Sequence, residues 1–397
     1  MRRTASAHPF PARAAAAAAL SVALAVACSA SPHTLSARPG HGVPAPVRPA
    51  AAESAGPCGL PPRPPVVGPL SASFVSASVG WLLGITLPAC SGPGGSRLVL
   101  RKTTDGGRQW SPVPGPPTSW GRPGAGGTAG GVSQVRFADP RNGWAFGPGL
   151  WATHDGGASW HQVATHGALV DSLEVMDDRV IAAFTPCGAQ CGRPEPAFAV
   201  YTSLVARDDW RPVAGATGYG YPQVVMDGGT GYAVSRDQSG SRGTLLGGPA
   251  DGSARWQPRP LPCAAKPAAA ASGAGLVLAC AALGTHPTPA QEYRSTDDGR
   301  TWQRLTSLLL FDGVDTISIS PRGAIIIAGA YSGLLMSWDD GRTWHGVPLV
   351  DHAGVVEGGG SLEAAMTTSH QGFAIAAMAQ IWFTYDAGHT WTPVTIQ

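Results

Sequence analysis

Residues suited to acid–base chemistry are sparse in this chain. The best placed are Asp351, His352 and Glu357, on one stretch between Pro348 and Gly360. Two carboxylates held about 5–10 Å apart would serve hydrolysis of a glycosidic bond, one as acid and the other as base or nucleophile. Cys187 and Cys191 form a second candidate, as half of a metal site or as a disulfide. A structural zinc site needs a second ligand pair. None stands nearby, so the disulfide is favoured and no metal or other cofactor is expected. No nucleophilic serine motif is present. Gly124-Ala125-Gly126-Gly127 lacks the strand–helix setting of a phosphate-binding loop.

Any such residues must be positioned by a repeat that dominates the chain. Ser295-Thr296-Asp297-Asp298-Gly299-Arg300-Thr301-Trp302 recurs as residues 337–344, 384–391 and 153–160. A fifth copy, 103–110, has Gln109 where Ser or Thr is usual. The fixed positions are Asp105, Gly107 and Trp110; Asp155, Gly157 and Trp160; Asp297, Gly299 and Trp302; Asp339, Gly341 and Trp344; and Asp386, Gly388 and Trp391. An Asp-x-Gly core between apolar runs is a hairpin turn. Glycine supplies the positive φ, and the Asp and hydroxyl side chains bond nearby backbone N–H groups. The octet is therefore expected to be structural.

Two decayed copies complete the series. Asp251 to Trp256 keeps the Asp-to-Trp spacing, and Thr202 to Trp210 keeps the ends. Successive Trp positions are then 50, 50, 46, 46, 42 and 47 residues apart. Ahead of most octets stands a Gly-aromatic-aliphatic segment: Gly80-Trp81, Gly143-Trp144, Gly231-Tyr232 and Gly372-Phe373. Each unit reads as strand, turn, strand, loop, strand, octet, strand. The expected fold is all-β, a single seven-bladed β-propeller with four-stranded blades over residues 68–397. Whether a strand near Pro65–Gly68 completes the last blade is open.

The octet resembles the Asp-box, or BNR repeat, of sialidase, xyloglucanase, sortilin and photosystem II assembly-factor propellers. Sialidase chemistry implies three converging arginines, a tyrosine nucleophile with a glutamate partner, and an aspartate acid/base. The Arg-Ile-Pro segment of that family is missing, and Arg63-Pro64-Pro65 is not its equivalent. Xyloglucanases of this class imply two propellers, and this chain has one. The assembly-factor type is the best match, through Val135-Arg136-Phe137-Ala138-Asp139 followed by Asn142-Gly143-Trp144. That resemblance implies a protein that binds and chaperones membrane proteins. Nothing in these residues specifies a photosynthetic partner.

The N-terminus reads as an export signal over residues 1–28. Arg2 and Arg3 precede a short apolar stretch, and Leu24-Ala25-Val26-Ala27-Cys28 resembles a bacterial lipobox. Cys28 is then the lipidation site, placing the protein at the outer face of the cell membrane; an ordinary secreted form is the alternative. Residues 29–67 read as a Pro/Ala-rich disordered tether. The six remaining cysteines, Cys58, Cys90, Cys187, Cys191, Cys263 and Cys280, suit disulfides of an exported chain. Adjacent pairing is the most economical of the fifteen possibilities.

A formal charge of +2 with 13% charged residues gives no case for nucleic acid. The loops opposite the octets are the long ones. They carry Trp120, Arg122, Arg193, Tyr219, Tyr221, Asp351, His352 and Glu357 as candidate ligand-face residues. The expectation is a monomeric, non-catalytic propeller that binds protein or glycan. The alternative is a divergent, sialidase-like glycoside hydrolase with carboxylates on that face.

Overall fold

The computed structural model describes residues 66–397, except 88–95, 122–130, 187–196, 238–242, 264–266, 274, 282–287, 311–313, 330–332, 351–361 and 377–378. Its strands make seven four-stranded antiparallel sheets, each from consecutive strands. The chain is all-β, a seven-bladed propeller, with no helix among the described residues. The blades occupy 66–113, 134–162, 168–219, 221–259, 267–310, 316–347 and 362–394.

The second strand of a blade is the most buried. Gly143–Phe146, Ile325–Gly329 and Gly372–Ala376 are buried at every position. A neighbouring blade covers each face of such a strand, so it reads as a continuous apolar run rather than an alternation. Outermost strands such as Ser111–Val113 and His161–Gln162 are short and mostly exposed. The core is divided accordingly. Seven apolar clusters form among the described residues, each joining two adjacent blades; one joins blades 7 and 1 through Phe373, Ile375 and Phe383 on one side and Val67, Ala72 and Leu82 on the other.

The first strand answers the question of ring closure that the sequence leaves open. The first strand is Val66–Phe74, starting two residues before position 68. Val66, Val67 and Gly68 pair with the second strand of their own blade. On its other side, the Val67 N–H donates to the Ile396 carbonyl at 3.1 Å. A register shift between Pro69 and Ser71 accommodates the proline inside this strand, since proline has no N–H to give the ladder.

A recurring polar bond crosses the blade interfaces. The Trp81 indole of blade 1 donates to the Gly156 carbonyl of blade 2 at 3.0 Å. Trp338 of blade 6 donates to Ala387 O of blade 7 at 2.7 Å, and Gln371 of blade 7 to Gly106 O of blade 1 at 3.1 Å. Each acceptor is the fourth residue of its octet. The Tyr232 hydroxyl of blade 4 meets the fourth residue of the next octet through its side chain, Asp298 Oδ1, at 3.3 Å. Trp81 and Tyr232 are aromatic residues of the Gly-aromatic segments. In blade 7 that residue is Phe373, which has no donor, and Gln371 takes the role.

Candidate functional site

The octets join the third and fourth strands of their blades and lie on the same face as the turns between first and second strands; Gly106 N–H bonds Ser78 O at 2.9 Å, and Gly156 N–H bonds Arg141 O at 2.8 Å. Within the octet of blade 5, Ser295 Oγ donates to Asp297 Oδ1 at 2.8 Å and accepts from Gly299 N–H at 2.8 Å. Asp297 also accepts from Thr301 N–H at 2.9 Å and Thr301 Oγ1 at 2.7 Å. Asp155, Asp339 and Asp386 accept the equivalent pairs from Ser159, Thr343 and Thr390. Asp105 keeps the backbone bond to Gln109, at 2.9 Å. Glutamine at this position supplies no short hydroxyl.

These bonds favour the ionised carboxylates. The Thr301 N–H and hydroxyl hold Asp297 down at about 2, and the Ser159 hydroxyl and N–H hold Asp155 at about 2. For Asp386, burial opposes the Thr390 bonds and loses, leaving it at about 2. The Thr343 hydroxyl lowers Asp339, and the Gln109 N–H lowers Asp105. Carboxylates so committed are turn locks. The glycines Gly107, Gly157, Gly299, Gly341 and Gly388 all have positive φ. Each also meets the preceding blade: a Cβ on Gly107 would lie 2.6 Å from the Phe383 ring.

The innermost strands line a central channel with two mouths. The cavity on the octet side is about 490 Å³, and that on the opposite, loop side about 680 Å³. Both are bounded by Arg136, Glu174 and Glu363. Arg136 Nε lies 3.8 Å from Glu174 Oε2, and its Nη1 lies 3.7 Å from Glu363 Oε1. Burial pushes the Glu363 carboxyl up, against Arg136 and a hydrogen bond from Ser71. Polar side chains also stitch the inner strands together. Ser73 Oγ accepts from Phe137 N–H at 2.8 Å, and Gln223 exchanges two bonds with the Ala269 backbone, at 2.9 and 3.0 Å.

The loop-side mouth brings Trp120 and Tyr221 to the same cavity, with Asp171 and Arg236. Asp171 is pushed up by burial, opposed by the Thr185 hydroxyl that bonds it. Tyr219 lines an adjoining groove with Asp237 and Arg259. Tyr219 is 68% exposed and Tyr221 41%. Arg122, Arg193, Asp351, His352 and Glu357 lie outside the described residues, as do Cys28, Cys58, Cys90, Cys187 and Cys191. Cys263 and Cys280 are joined by a disulfide, with Cα atoms 5.9 Å apart. Cys280 is in the second strand of blade 5. Cys263 is in the link from blade 4 rather than in a strand.

Sequence reasoning missed two groupings. One is Arg136–Glu174–Glu363, whose members come from blades 2, 3 and 7. The other is His154, His161 and Asp208, whose ligand-capable atoms all lie within 4.8 Å of one another. His154 sits within an octet and His161 directly follows its Trp160, a spacing that could have drawn notice. Asp208 comes from the decayed third copy, where no motif marks it.

No family model and no curated protein matches the chain. Among solved structures it is similar to YCF48 bound to a D1 peptide: 18% identity, TM-score 0.54, with 81% of this chain and 94% of that one covered. YCF48 from Cyanidioschyzon merolae is similar at 16% identity and TM-score 0.54, covering 83% and 98%. A Pyrococcus horikoshii acylaminoacyl peptidase aligns at 8% identity and TM-score 0.50, over 83% of this chain but 52% of the peptidase. At these identities the likeness is one of fold: a single propeller, matched along nearly the whole of the YCF48 chains.

Proposed function

We propose that this chain is a non-catalytic Asp-box propeller that binds a protein segment at its loop-side mouth. It is exported and held at the outer face of the cell membrane by a lipid on Cys28. One observation carries the binding face. Four large hydrophobic side chains are exposed among the described residues, Val66, Tyr219, Tyr221 and Tyr385. Three belong to strand ends on the loop side, where Trp120 joins Tyr221 around the larger cavity. Aromatic groups over a rigid scaffold are suited to recognition. The YCF48 structure with a bound peptide supports a protein rather than a glycan as the ligand.

The test places a photo-crosslinking residue at Tyr221 in the full chain in cells, with the same residue at Arg342 on the octet face as comparator. A discrete protein adduct from position 221, absent from 342, is expected. A glycan array run on the purified chain covers the sugar alternative; binding there without a protein adduct overturns the protein reading. Radiolabelled palmitate incorporation lost in Cys28→Ser checks the anchor.

A second reading keeps one specific observation. Glu174 and Glu363 face a common arginine in the channel, and burial pushes the Glu363 carboxyl up. A carboxyl raised by burial is what a glycosidase general acid requires. Turnover in a fluorogenic glycosidase panel, abolished by Glu363→Gln, would replace the binding reading with this one.

A further inference from the structure

We propose that His154, His161 and Asp208 form a binding site for a divalent transition-metal ion of the zinc type, joining blade 2 to blade 3 on the octet face. His154 is the second residue of the second octet, and His161 opens the outermost strand of the same blade. Asp208 lies on the turn after the third strand of blade 3, Ala197–Leu204. That turn has lost the octet pattern. Its Ser203 hydroxyl bonds Arg207 O at 2.8 Å and Asp209 Oδ1 at 3.0 Å, so Asp209 holds the turn. Asp208 is left facing the neighbouring blade.

The hydrogen bonds behind His154 decide which nitrogen carries its proton. Asp139 Oδ2 accepts from the Asn142 amide nitrogen at 2.7 Å, which turns the amide oxygen outward. That oxygen lies 2.7 Å from His154 Nδ1, so Nδ1–H is the donor. Nε2 is then the ring atom that can act as a metal ligand. It points at Asp208 Oδ2, 3.1 Å away. The same oxygen lies 2.6 Å from His161 Nε2. Trp144 Nε1–H holds the other oxygen, Oδ1, at 3.4 Å.

Two imidazoles and a carboxylate are the ligand types of zinc sites. An outer hydrogen bond that fixes the tautomer and aim of a ligand is how metal-binding histidines are held. Zinc bonds of about 2.0–2.1 Å in tetrahedral array put ligand atoms about 3.3 Å apart. His154 and Asp208 are near that spacing already. His161, 53% exposed on its side chain, has room to swing outward by the remaining fraction of an ångström. Three protein ligands leave a fourth position open to water or to a group from outside. Because the ligands come from two blades, the ion also ties them together. It stabilises the folded ring by preferential binding.

The test titrates Zn²⁺ and Co²⁺ into the metal-free full chain, by calorimetry and visible absorption respectively. One ion per chain, a tetrahedral-type Co²⁺ spectrum and a zinc-dependent rise in unfolding temperature are expected. His161→Gln, at an exposed strand end, should weaken binding at least about tenfold, as should Asp208→Asn. His370→Ala, outside the cluster, should leave it unchanged. A proton on His154 would satisfy Asp208 equally well. In that case neither metal binds at one-to-one stoichiometry, and the proposal is overturned. It is also overturned if the histidine and aspartate variants bind as tightly as the parent chain.

Discussion

The Gln371 side-chain amide donates to the Gly106 carbonyl at 3.1 Å, across 265 residues of sequence. The Tyr385 hydroxyl reaches the same oxygen at 3.0 Å. Both bonds join the last blade to the first octet. A propeller whose blades are each made of contiguous chain has no shared strand to close it, so contacts of this kind must. Gln371→Ala is expected to cost about 1 kcal/mol, the usual net value of one hydrogen bond. Adding Tyr385→Phe should cost more than the two single changes together, since Gly106 O then loses its last side-chain donor. Denaturant unfolding of the four species in the cycle checks this; strict additivity would show that the two bonds do not act on a common closure.

The octet glycines have two constraints that can be separated. Gly107 has a φ of +95° and a Phe383 ring carbon 2.6 Å from where a Cβ would sit. Gly228 has a φ of +56° with open space around it. Gly228→Ala should therefore cost only the left-handed backbone penalty, about 1 kcal/mol. Gly107→Ala should cost about 1–3 kcal/mol beyond that, because Phe383 must move out of a packed interface. Equal effects on the unfolding midpoint would remove the close approach of the preceding blade as a reason for glycine at the fifth octet position.

Acid should unfold the propeller through the octets. Asp155, Asp297 and Asp386 ionise at about 2 in the fold, against about 4 in an unfolded chain. Their contribution is complete above the unfolded value. It declines as pH falls from about 4 towards about 2, where the folded carboxylates take up protons. Replacing Asp297 by Asn should lower stability at neutral pH and flatten that decline. Thermal midpoints measured at successive pH values for parent and variant give the answer. An unchanged slope would mean that the octet carboxylates are not what acid attacks.

The blade count, the four-strand pattern and the octet hairpins were legible because each is local: a Gly with positive φ, an Asp two residues from its hydroxyl partner, an apolar run buried on both faces. The role of Trp81 was not. Gly-Trp marked the strand, but its indole bond to Gly156 belongs to the next blade and carries no sequence signal. The same holds for Arg136, whose two carboxylate neighbours come from blades 3 and 7. Tyr221 and Trp120 could be assigned to the loop side from strand order alone. That they share one cavity depends on the curvature of the ring, which no spacing along the chain encodes. His154 and Asp208 meet for a similar reason, through a turn whose motif had decayed.

Glu292 provides the opposite pH response to the octets. It lies on the third strand of blade 5, where the ladder shifts register between Gln291 and Tyr293. It is 0% exposed, and its carboxylate oxygens have no hydrogen-bond partner among the described residues beyond its own backbone. Burial pushes the carboxyl up to about 8, against the attraction of Arg304. The folded chain therefore keeps this proton at neutral pH, while an unfolded glutamate releases it above about 4.3. Below that value neither state changes, and above about 8 both are ionised. Between them stability falls with rising pH, by at most about 1.4 kcal/mol per pH unit for one proton. Glu292→Gln keeps the shape and removes the titration. It should raise the unfolding midpoint at pH 8 and leave it nearly unchanged at pH 5. A drop at both pH values would instead mean that the carboxylate is ionised in the fold and paired with Arg304.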